Sequence, residues 1–109
     1  MAAQTPKLVK HTLLTRFKDE ITREQIDKHI NDYSNLIDLI PPMKSFSWGT
    51  DVSIENLNQG FTHVFETTFQ TLEDRSAYVA HPAHVKFGTQ LFTTLEKVVV
   101  IDYVPRPEP

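Results

Sequence analysis

No cysteine occurs among the 109 residues, which removes disulfides, thiol nucleophiles, zinc knuckles and iron–sulfur ligation together. Any chemistry must come from histidine, tyrosine or carboxylates. Glycine is nearly as scarce, and three residues of it are too few for a dinucleotide fingerprint or a phosphate-cradling loop. A basic excess is missing too: the net charge of −3 argues against a face that tracks nucleic-acid phosphates. No apolar run is long enough to span a membrane. The first seven residues, MAAQTPK, lead into a stretch broken by Lys10, His11 and Arg16, which does not read as a secretory signal, so a cytoplasmic protein is expected. Hydrophobic residues at 39% and charged residues at 23% are ordinary globular usage. The length fits one domain, expected over residues 7–105 with tails at 1–6 and 106–109.

The apolar pattern then sets the order of elements. From Leu8 to Phe17 the residues alternate, with Val9, His11, Leu13, Thr15 and Phe17 on one face, as a strand requires. Thr22 followed by Gln25 forms a capping box, flanked by Ile21 and Ile26 as a hydrophobic staple. Ile26, Ile30, Tyr33, Leu36 or Ile37, and Ile40 keep helical spacing until Pro41-Pro42 forbids another turn. Phe46 and Trp48 mark a second strand within Met43–Val52 that ends near Gly49, a polar loop follows from Thr50 to Gly60, and Phe61–Phe69 alternates as a third strand. Thr71 caps a short helix to about Ala80, and Pro82 opens another whose inward stripe holds His84, Phe87 or Gly88, Leu91 and Leu95. Val98–Val104 reads as a last strand, apolar on both faces at first and so expected to be covered on two sides.

This β-α-β-β-α-β order predicts a ferredoxin-like α+β fold, a four-stranded antiparallel sheet with its helices on one face. The other face, carrying Leu8, Leu14, Val64 and part of Val98–Ile101, is left bare, a patch that normally marks an interface. A homodimer through the open sheet face is expected.

Five histidines are the main chemical resource. Alternation places His11 and His63 on the helix-covered face beside Thr15, with Tyr33 facing them, which points to a polar cavity. The plainer alternative is a pair of core histidines satisfied by carbonyls or a tyrosine hydroxyl. Tyr78 and His84 flank the break at His81-Pro82, and over an apolar pocket they would form a workable acid/base pair. His81 and His84 lack a third ligand for a catalytic zinc. A hard cation such as magnesium could instead be held structurally by the main-chain carbonyls of Ile37, Ile40 and Met43, at the negative end of the first helix.

Several stretches carry a resemblance: Val9-Lys-His11, Ser47-Trp-Gly-Thr-Asp51, Gly60-Phe-Thr-His63 with Phe-Glu following, Tyr78-Val-Ala-His-Pro-Ala-His84, and Val100-Ile-Asp-Tyr103. Together, from Lys7 to Pro105, they resemble the plant stress-responsive dimeric α/β barrel family. The resemblance implies a stress- or defence-associated, heat-stable homodimer whose sheets close into a barrel, with dimers assembling further into rings in some members. It also implies a small hydrophobic or polyketide ligand, because one member is a polyketide cyclase that performs a C2–C7 aldol condensation without a cofactor. Carried over by motif, His84 is the general base and Tyr78 holds it and polarises the substrate. His11, Leu13, Tyr33 and His63 line the pocket. Ile30, Thr15, Phe65 and Leu95 stand where the cyclase has Phe, Leu, Val and Trp around an alkyl tail, and Phe65 fills space that a tail would need.

Overall fold

The computed structural model describes residues 8–107, so the tail expected at 1–6 lies outside them, as do Glu108 and Pro109 of the tail expected at 106–109. Strands β1 (Val9–Phe17), β2 (Ser45–Thr50), β3 (His63–Phe69) and β4 (Leu95–Tyr103) alternate with helices α1 (Arg23–Leu39), α2 (Leu72–Ala80) and α3 (Pro82–Phe92). They form one antiparallel sheet in the order β2-β3-β1-β4, the ferredoxin-like arrangement that the sequence predicts.

Each element has a local cause. Thr22 accepts a hydrogen bond from the Gln25 amide at 3.2 Å, while the Gln25 side chain accepts from the Thr22 amide at 2.8 Å, closing the predicted capping box. Ile30, Tyr33 and Leu36 turn inward from α1, and Ile40 ends it by donating its amide to the Leu36 carbonyl. Thr71 caps α2 through the Asp74 amide, and the His81 side chain caps α3 through the Ala83 amide.

Strand β1 buries every second residue, as its alternation demands. Register places Thr67 beside His11 on β3 and Asp102 beside it on β4, so these three share the helix-covered face. Phe69, Phe65, Leu13 and Phe17 pack there against Tyr33, Leu36, Phe87 and Leu91.

The last strand departs from expectation twice. It begins at Leu95 rather than Val98, because the Thr94 hydroxyl and amide both donate to the Leu91 carbonyl and close α3 early. Leu95 therefore starts β4 and is no part of a helical stripe. Strand β4 lies at the edge of the sheet, where the helices do not close over it, so Val98 and Val100 stay exposed on the helix side, and Ile101 is exposed on the open face. Strand β2 ends at Thr50, beside the expected end near Gly49, and the expected polar loop runs on to Thr62, so β3 starts at His63 rather than Phe61; Asn56, Gln59 and Gly60 sit in that loop at positive φ. That loop lies along one end of the open face and half-buries Leu14 and Val64, whereas Leu8, Ile101 and Tyr103 remain exposed there.

Candidate functional site

Helices α2 and α3 do not close fully over β4, and between them lies a cavity of about 660 Å³. Its walls are mainly apolar, from Leu13, Phe87, Leu91 and Val100, and its polar groups include His11, Tyr33, Arg75, His84 and Asp102. Solvent reaches it past Val85, Phe92 and Val100, each close to half exposed.

His84 is oriented by the break between the helices. Its Nδ1 lies 2.9 Å from the Val79 carbonyl oxygen, which can only accept, so Nδ1 carries the proton and Nε2 keeps a lone pair. Burial lowers its pKa from 6.5, and the nearby His11 and His81 push the same way against the Val79 bond. His84 is thus neutral at pH 7 and competent to accept a proton.

Tyr78 lies behind it rather than on the cavity wall. Its ring is 4.5 Å from that of His84, 5.7 Å from that of His11 and 4.8 Å from that of Phe69. Its hydroxyl is fully buried, neighbours that of Tyr33 and makes no well-formed hydrogen bond to the described residues. Burial pushes the phenol up to about 12. Tyr78 therefore holds His84 by ring packing, in place of the hydroxyl contact that an acid/base pair would use. Tyr33, which does face the cavity, has its pKa raised well above 10.0 by burial first and by Tyr78 second.

His11 is tied to a residue that sequence reasoning missed. Its Nδ1 donates to Asp102 Oδ1 at 2.6 Å, and Arg75 Nη1 donates to Asp102 Oδ2 at 2.9 Å. Asp102 is the single acid in the run Val98–Val104, and only the β1–β4 register places it opposite His11. Arg75 gave no comparable signal, since an arginine on a short helix is ordinarily solvated.

The other expected site residues fall elsewhere. Thr15, Ile30, Phe65 and Leu95 are core residues outside the cavity lining. Phe65 stacks on Tyr33 at 5.3 Å. His63 lies at the far end of the sheet, between Trp48 and Phe65, bonded to the Thr62 hydroxyl at 2.8 Å and bordering a second cavity of about 260 Å³ under the Asp51–Thr62 loop. His11, Leu13, Tyr33 and His84 are the expected residues that meet in one place. The Ile37, Ile40 and Met43 carbonyls lie at the C-terminal end of α1, where the Ile40 oxygen already accepts the Met43 amide at 2.9 Å. Among the described residues no three His, Asp or Glu side chains converge as a metal site.

A ferredoxin-like domain with a histidine-lined cavity under split helices defines the class, and comparison with known proteins defines the family. Residues 9–105 match the stress responsive A/B barrel domain, and the chain belongs to that family. It is 57% identical over 97 residues to the Arabidopsis thaliana stress-response A/B barrel domain-containing protein HS1, covering 89% of each chain. It is 44% identical over 98 residues to the olivetolic acid cyclase of Cannabis sativa, covering 90% of this chain and 97% of that one. The solved structure of a hydroxynitrile lyase from Passiflora edulis superposes with a TM-score of 0.90 at 35% identity, over 95% of this chain and 98% of that one. A more distant ferredoxin-like structure from Thermobifida fusca, at 22% identity and TM-score 0.76, is described as dimeric and covers 91% of this chain and 92% of that one.

Proposed function

We propose that this protein is a cytoplasmic, homodimeric stress-response A/B barrel protein that binds a small, largely apolar compound in the 660 Å³ cavity. The cavity itself carries this conclusion, since its size and apolar lining with a few convergent polar groups suit a small-molecule site. The bare apolar strip of Leu8, Ile101 and Tyr103 supports pairing of two sheets. No helix of the described residues is long and apolar enough to cross a membrane. Heat stability, a role in defence and assembly of dimers into rings are supported by the family resemblance alone. Titration calorimetry with 4-butylbenzyl alcohol tests the cavity: saturable binding that a Gly88→Trp substitution weakens is expected, and no binding by wild type would refute it.

The His84 geometry favours a second reading, a polyketide cyclase like the relative of that name. With Nδ1 held by Val79, Nε2 can remove a C2 proton from a linear polyketide. The carbanion then attacks the C7 carbonyl carbon, the C2–C7 bond forms, and the C7 oxygen receives the proton; that hydroxyl leaves with the remaining C2 hydrogen as water, the C3 and C5 ketones enolise to make the ring aromatic, and hydrolysis of the thioester by water releases CoA and leaves the carboxylic acid. No cofactor is used. Purified protein supplied with tetraketide-CoA freshly made by a polyketide synthase should yield a resorcylic acid that His84→Ala no longer makes. No acid above a synthase-only control would leave the binding function alone standing.

A further inference from the structure

We propose that Arg75 makes this cavity selective for a ligand that ends in a carboxylate, with its apolar body lying along α3. The inference deepens the ligand-binding function proposed above and rests on it.

A guanidinium has five N–H donors in a rigid fork. Among the described residues the Arg75 side chain makes one hydrogen bond, from Nη1 to Asp102 Oδ2 at 2.9 Å, and its Nε and Nη2 have no acceptor. The side chain is 26% exposed and lines the cavity, so these donors are neither locked in the core nor free in bulk water. Asp102 does two things for it. It offsets the charge that Arg75 brings beside an apolar cavity, and it fixes the guanidinium, so that little rotamer freedom remains to be lost when a ligand binds.

Asp102 accepts one hydrogen bond at each oxygen, Oδ1 from His11 and Oδ2 from Arg75, and receives no other Arg75 donor. The other polar side chains on this side of the cavity are occupied as well: the Ser76 hydroxyl donates to the Leu72 carbonyl, and the Thr89 hydroxyl donates to the Val85 carbonyl. Arg75 is left as the cation with donors to give. A carboxylate matches such a fork in charge and geometry, whereas an alcohol or amide uses only part of it. Opposite Arg75, Phe87, Leu91 and Val100 offer a wall that rewards an alkyl or aryl body.

The test is titration calorimetry of the full chain with 4-butylbenzoate and 4-butylbenzyl alcohol, which differ only at the polar end. Wild type is expected to bind the carboxylate roughly tenfold or more tightly than the alcohol, the scale of one charge-assisted bond. Arg75→Gln should abolish that preference, and Arg75→Lys should restore part of it. A far-ultraviolet circular dichroism spectrum matching that of wild type shows that each variant is folded. Equal affinities in wild type, or equal loss of both ligands in Arg75→Gln, would overturn the inference and leave the cavity's binding function intact. If wild type binds neither compound, the ligand-binding function falls and this inference falls with it.

Discussion

His11 and Asp102 face each other across the β1–β4 ladder with Nδ1 and Oδ1 only 2.6 Å apart. Their residues are 91 positions apart in sequence, so the contact reports the register of the two strands directly. Arg75 adds a third member from α2, tying the helix layer to the same carboxylate.

Replacing Asp102 by Asn keeps the shape but removes the charge that both partners address. Destabilisation of about 1–3 kcal/mol is expected, because Arg75 and His11 lose a charged acceptor at a partly buried site. Urea unfolding of Asp102→Asn, Arg75→Gln and the double variant checks it. The two effects should be clearly less than additive, and full additivity would mean that the residues do not act together.

Loss of His84 should leave the fold nearly intact. The side chain is half-buried, and its one hydrogen bond is to a helix-terminal carbonyl. His84→Ala should therefore keep its circular dichroism spectrum and lose no more than about 1 kcal/mol on thermal unfolding. A collapse of stability would make His84 a structural residue first.

The open face of the sheet predicts linked unfolding and dissociation. The melting temperature should rise with protein concentration, because folding and association share one equilibrium. Ile101→Asp, placed where the face is most exposed, should shift the protein to monomer in sedimentation. Leu14→Asp is the poorer probe because the Asp51–Thr62 loop half-buries Leu14. A wild type that is monomeric at all concentrations, with a constant melting temperature, would exclude the dimer.

Stability should fall as the solution is made acidic. His29, His63 and His84 all have pKa values lowered below 6.5 by burial, which disfavours their charged forms. The unfolded chain therefore holds more protons than the folded one just below pH 6.5, and stability present above that pH is lost as pH drops through it. Unfolding free energies measured from pH 7.5 to 5 should decline, and His84→Gln should flatten the slope. A flat wild-type profile would mean that these rings are solvated.

Local signals carried most of the fold. The alternation of β1, the Thr22–Gln25 capping box and Pro82 at the start of α3 are written in neighbouring residues, and each formed as read. The site was legible in part. His11, Leu13, Tyr33 and His84 converge because their elements were placed on the correct faces. His63 was on the correct face but at the wrong end, since parity fixes a face and not a position along the sheet. Asp102 and Arg75 were missed because their roles depend on strand register and helix placement, which no short window contains. Leu95 was misplaced because an apolar residue three positions past a helix end looks the same in either element.

The bond between His84 Nδ1 and the Val79 carbonyl spans the junction of α2 and α3. Val79 lies in the last turn of α2, where carbonyls lack helical partners and must find donors elsewhere. One interaction thus finishes a helix and aims a base. The two tasks share a single fate: a substitution that frays the end of α2 also sets the imidazole turning, and one that removes the imidazole strips the helix end. A change at either end of this bond is therefore read twice, once in the order of the helix terminus and once in the aim of the imidazole.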